Sequence, residues 1–115
     1  MTLPIEAITP GLGVFVRIDA DSVLDPGVPE QILEALSQHN VLVFPQINMS
    51  DDTFAAFTGA LGEQHDLSVT ADTSEASDKG IYRIALDKDD RNQLDFIKGN
   101  DYWHMDGTSY ETPGK

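Results

Sequence analysis

A histidine and an aspartate one residue apart, His104 and Asp106, are the pair in this chain best spaced to hold a metal ion. In extended backbone, residues i and i+2 share a face, so the imidazole and the carboxylate can converge while Trp103 and Met105 turn the other way, into packing. That donor pair suits Fe(II), Mn(II), Zn(II) or Co(II), and a second histidine would complete a facial triad with positions left open for co-substrates. A ligating histidine also needs an acceptor on its other ring nitrogen to hold its tautomer. Gly107 lets the chain bend directly after the second donor. Cysteine is absent, which excludes thiolate sites and disulfides.

Spacing alone does not decide the matter. With 20 acidic residues among 115, a histidine two positions from a carboxylate arises readily by composition. The plainer reading is a hydrogen-bonded, half-buried histidine beside Trp103. The other two histidines are weaker candidates. His39 falls at a helix end, where an imidazolium interacts favourably with the dipole. His65 follows Gly62-Glu63-Gln64 at the mouth of a long polar stretch and could face a pocket or solvent. Gly11-Leu12-Gly13 and Gly59-Ala60-Leu61-Gly62 lack the spacing and the lysine of a phosphate loop.

The elements that must position these residues can be read from periodicity and turn chemistry. Residues 14–19 alternate, with Val14, Val16 and Ile18 on one face and Phe15, Arg17 and Asp19 on the other. This predicts a strand entered through the Pro10-Gly11 turn. After Asp25-Pro26-Gly27, the spacing predicts a helix over 29–39, with Pro29 in its first turn and Ile32, Leu33 and Leu36 as its buried stripe. Asn40 ends it, and residues 41–44 read as a short buried strand stopped by Pro45. Ser50 is the expected N-cap of a second helix that turns Phe54, Phe57 and Leu61 toward the core and stops at Gly62. Residues 66–80 are nearly devoid of apolar side chains and are expected to form a mobile loop near the pocket. Strands are expected at 81–86 and 94–97, flanking a charged turn at 87–92.

The formal net charge is −13, so the chain lacks the cationic surface that gains from counterion release on nucleic acid, or from contact with an anionic membrane. Acidic residues in this number solvate the surface. A 40% apolar fraction and a mean hydropathy of −0.26 place the chain among soluble globular domains. The N-terminus has neither the basic start nor the apolar run of a signal peptide, and a cytoplasmic location is the default expectation.

The segment Asn100 to Pro113, with Trp103-His104-Met105-Asp106, then Thr108, then Glu111-Thr112-Pro113, resembles the first metal-binding segment of the taurine dioxygenase-like (TauD/TfdA-like) family of Fe(II)/2-oxoglutarate-dependent dioxygenases. The resemblance extends upstream in order, through Pro10-Gly11-Leu12-Gly13, the helix and Val41-Leu42-Val43-Phe44, to Leu61-Gly62-Glu63, where Leu61 stands for the usual Phe. It implies an α+β fold in which residues 1–115 form the N-terminal part of a single double-stranded β-helix, or jelly-roll, domain that is apparently truncated. It also implies an Fe(II) centre with 2-oxoglutarate and O2 as co-substrates, succinate and CO2 being formed beside an oxidised small molecule, such as a sulfonate or sulfate. His104 and Asp106 match the family's first two ligands and are the expected catalytic and metal-binding residues. Asn100, Tyr102 and His65 are the expected substrate-side residues. Where the family's pocket histidine would align, this chain carries Leu67, which argues against taurine itself. The third ligand, a distal histidine, and the arginine that clamps 2-oxoglutarate are expected beyond residue 115, so these 115 residues alone are not expected to turn over.

Two other readings remain open at this stage. One is a non-catalytic acidic domain that binds a protein partner, with His104 an ordinary packing histidine. The other is a member of the same family with decayed catalysis. Self-association is left open by all three.

Overall fold

The computed structural model describes residues 2–64, 81, 98, 101–108 and 111. The chain opens with a hairpin, β1 (Ile5–Thr9) and β2 (Leu12–Val16), whose antiparallel register pairs Ile5 with Val16 and Thr9 with Leu12. Pro10-Gly11 forms its two-residue turn, with Gly11 at φ 82°. The turn was legible in the sequence and β1 was not. All five β1 residues are exposed, so no alternation marks the strand. Pairing with β2 is what makes it one, and the pairing runs on through the Arg17 N–H, which donates to the Pro4 carbonyl at 3.1 Å.

In β2, Val14 and Val16 turn inward as expected, and Ile18 lies partly buried beyond the strand end. A 3-10 turn at Ala20–Ser22 leads to the fully buried Val23. Helix α1 (Val28–His39) has Pro29 and Glu30 in its first turn, and Asn40, at φ 64°, ends it by donating its N–H to the Leu36 carbonyl. Gln31 ties the chain's start to this helix: its Oε1 accepts from the Leu3 N–H at 2.9 Å and its Nε2 donates to the Gly27 carbonyl at 3.0 Å.

The buried stripe of α1 differs from expectation. Val28, Ile32 and Ala35 face the core, whereas Leu33 and Leu36 stay exposed. Both sets have helical spacing, and α1 packs against β2, β3 and α2 through the set that holds Val28, Ile32 and Ala35. The expected strand over 41–44 is shorter than read: β3 spans Leu42–Val43 and runs parallel to β2, with Val14 opposite Leu42. The sheet order is therefore β1-β2-β3, a hairpin joined to a helical crossover.

Helix α2 (Asp51–Leu61) begins where Ser50 was expected to cap it, the Ser50 hydroxyl accepting from the Thr53 N–H at 3.1 Å. Phe57 is buried and meets Phe44 edge-on, with centroids 6.1 Å apart, and Leu61 is partly buried against the core. Phe54 is exposed, contrary to the expected inward face. Past Gly62, the Gln64 amide donates back to the Ala55 carbonyl and to the Thr58 hydroxyl, holding the helix exit against α2. The core gathers Leu3, Val14, Val16, Val23, Val28, Ile32, Ala35 and Phe57 beneath the helices. No described helix is long and apolar enough to cross a membrane. The architecture is mixed α and β, and the strands expected at 81–86 and 94–97, like the loop at 66–80, lie outside the described residues.

Candidate metal centre

The segment that holds His104 is entered by a turn in which the Asp101 N–H donates to the Lys98 carbonyl at 3.1 Å. Residues 103–105 run without helix or strand pairing, and a second turn follows at 106–108, where Gly107 adopts φ 66°. A left-handed φ is costly for residues with a Cβ, so glycine is the residue that permits this bend beside Asp106.

His104, between the two turns, and Asp106, at the start of the second, come together: Nε2 of the ring lies 3.2 Å from Oδ1 of the carboxylate. The other ring nitrogen, Nδ1, lies 2.8 Å from the main-chain carbonyl oxygen of Tyr102. A shallow groove lined by Asp101, Tyr102, Trp103 and His104 borders the pair. Trp103 and Met105, expected to turn into packing, do not pack. Trp103 is fully exposed at 105% and Met105 is exposed as well, because the described residues place no neighbour over them. The Tyr102 side chain is also exposed. Asn100 and His65, expected on the substrate side, lie outside the described residues, as does Leu67.

The donor geometry fits a metal ion. Two ligands about 2.1 Å from one ion and at right angles stand about 3.0 Å apart. The 3.2 Å between His104 Nε2 and Asp106 Oδ1 is close to that bite. A carboxylate only accepts, so in the absence of a metal this contact is a hydrogen bond when Nε2 carries a hydrogen. Among the described residues, no group of three or more His, Cys, Asp or Glu side chains surrounds a common point, so this pair supplies two donors and no third. His39, in the last turn of α1, belongs to the helix end, as its position in the sequence implied. The residue that sequence reasoning did not name is Tyr102 in its main-chain role. Any residue type offers a carbonyl there, so no side-chain signal could have pointed to it.

No curated protein matches the chain. Among solved structures, the crystal structure of AAD-2 in complex with Mn(II) and N-oxalylglycine matches with a TM-score of 0.80 and 27% sequence identity. The match covers 100% of this chain and 44% of that one, so the chain spans less than half the length of the structure it resembles. The family model described as "Taurine catabolism dioxygenase TauD, TfdA family" matches residues 4–115. That span takes in the hairpin, both helices and the His104-Met105-Asp106 segment, and the chain belongs to the taurine catabolism dioxygenase TauD, TfdA family.

Proposed function

We propose that this chain is the N-terminal part of an Fe(II)- and 2-oxoglutarate-dependent dioxygenase that hydroxylates a small organic molecule, with a sulfonate or sulfate among the candidate substrates. The observation that supports it most is the His104–Asp106 pair, two different donors at the bite of a single ion. N-oxalylglycine is 2-oxoglutarate with one methylene replaced by N–H, so the ligands named for AAD-2 are a divalent metal and a co-substrate mimic. The proposal gives this chain the same pair of requirements, with iron as the resident metal. It also puts the distal histidine, the 2-oxoglutarate-binding arginine and the closing jelly-roll strands beyond residue 115, and the working protein in the cytoplasm.

The chemistry supplied by a bound Fe(II) is the oxidative decarboxylation of 2-oxoglutarate by O2, giving succinate, CO2 and a hydroxylated substrate. This chain's own residues bind and orient. His104 offers a neutral nitrogen donor, and Asp106 offers a negative oxygen that offsets part of the dication's charge. Together they would supply two of the ion's ligands and leave the rest to the remaining protein ligand and the co-substrates. Asn100, Tyr102 and His65 remain the proposed substrate-side residues.

Anaerobic calorimetry with Fe(II), on the full-length protein and on its His104→Ala and Asp106→Ala variants, tests the reading. Each substitution is expected to weaken binding at least about tenfold, in the range found when a ligand's environment is lost. Unchanged iron affinity in both variants would show the pair to be a coincidence of an acidic composition.

A further inference from the structure

We propose that the Asp106–Gly107 bond is a site of spontaneous isoaspartate formation, and that the reaction withdraws the Asp106 carboxylate from the bite it shares with His104. The isomerisation itself needs no metal, and its consequence rests on the metal-ligand reading above.

The reaction joins a side-chain carboxyl to the main-chain nitrogen that follows it. The Gly107 nitrogen bonds to Asp106 Cγ, and one carboxyl oxygen leaves as water with the amide hydrogen and a proton from solvent. Water then opens the cyclic imide. Breaking the bond from nitrogen to Cγ restores aspartate. Breaking the bond from nitrogen to the main-chain carbonyl carbon leaves isoaspartate, returns the proton, and routes the backbone through Cβ and Cγ. Atoms balance with water as the sole co-reactant.

Closure requires an accessible carboxyl, a following nitrogen that no side chain crowds, and a peptide plane that can turn toward Cγ. Asp106 meets all three conditions. Its side chain is 96% exposed. Gly107 has no Cβ, and it is the one glycine in the sequence that follows an aspartate, while none follows an asparagine. Residues 106–108 form a turn, with Gly107 at φ 66°, so neither helix nor strand pairing pins the plane. Exposure beside a small residue is not sufficient. Asp21 is also exposed and precedes Ser22, yet the Ser22 N–H donates to the Asp19 carbonyl at 3.0 Å within a 3-10 turn, which holds that nitrogen in place. In isoaspartate the free carboxylate sits on Cα, one carbon nearer the main chain, and the backbone after it is one carbon longer. The reach that sets Oδ1 3.2 Å from His104 Nε2 does not survive that change.

Ageing the purified, metal-free chain at neutral pH and body temperature tests the proposal. The readouts are peptide mapping with electron-transfer fragmentation and labelling by an isoaspartate-specific carboxyl methyltransferase. Isoaspartate is expected to accumulate at position 106 and to exceed any at Asp21. Asp106→Glu, which would need a larger imide, should lose the signal. Asp106→Asn should form the product faster, because ammonia leaves in place of water, and should show the mass gain of deamidation. The chromatographically resolved isoaspartate fraction should bind Mn(II) as weakly as Asp106→Ala does. No isoaspartate at 106, or no more than at Asp21, overturns the proposal and leaves metal binding untouched. Isoaspartate that forms at 106 without weakening Mn(II) binding overturns the second half of the proposal, and the reading of Asp106 as a ligand falls with it.

Discussion

Asp106 Oδ1 stands 3.2 Å from His104 Nε2 even though the aspartate side chain is 96% exposed and the histidine side chain 48%. The aspartate is held by no burial. The pair's geometry comes from the two turns around it and from the Tyr102 carbonyl, all between Lys98 and Thr108. His104→Ala and Asp106→Ala should therefore leave stability within about 0.5 kcal/mol of the parent, as surface substitutions do. Urea unfolding followed by far-UV circular dichroism checks this. A cooperative loss of fold in His104→Ala would instead identify a packing histidine.

Trp103→Ala is expected to be equally silent in this chain. A buried tryptophan reduced to alanine costs about 3–5 kcal/mol, whereas Trp103 buries nothing here. Its intrinsic fluorescence should match that of a solvated indole, and a collisional quencher such as acrylamide should reach it freely. Since Trp103 is the one tryptophan in the sequence, the signal is unambiguous.

Helix α2 gives a paired test of which face is buried. Phe57, 7% exposed against Phe44, should lose about 3 kcal/mol or more as Phe57→Ala. Phe54 is 45% exposed, and Phe54→Ala should cost less than about 1 kcal/mol. Equal losses would mean that the helix sits in another rotation.

Gly13 and Gly11 separate strain from crowding. Both have left-handed φ, at 77° and 82°. A Cβ on Gly11 would meet nothing within 4 Å, whereas one on Gly13 would lie 3.3 Å from Ile8 Cδ1 and 3.5 Å from Val41 Cβ. Gly11→Ala should cost about 1 kcal/mol from backbone conformation alone. Gly13→Ala should cost more, because Val41 sits where β2 receives β3 and its carbonyl accepts the Val14 N–H at 3.0 Å. Thermal or urea midpoints of the two variants, compared directly, give the answer.

Ser50→Ala should cost about 1 kcal/mol by leaving the Thr53 N–H without its side-chain acceptor, and Ser50→Asp should restore most of that. Matching unfolding curves for Ser50→Ala and the parent would remove the cap from the account.

Features set by a few neighbouring residues could be read without coordinates. The Pro10-Gly11 turn, the Ser50 cap, the Asn40 helix end and the meeting of His104 with Asp106 all depend on hydrogen bonds or backbone angles within a few positions. Family membership was legible for a related reason, since the motif and the order of the elements upstream are themselves sequence. Tertiary structure decided the rest. β1 has no buried face of its own and is a strand only because β2 offers it a ladder. On α1, two apolar stripes had the right spacing, and packing against the sheet and α2 buried Val28, Ile32 and Ala35 while leaving Leu33 and Leu36 exposed. Trp103 has the composition of a core residue and no neighbour among the described residues to make it one. Local hydrogen bonds close over short loops and leave a signature in adjacent residues. Burial depends on which distant surface arrives, and a single helix or strand does not encode the shape of its neighbour.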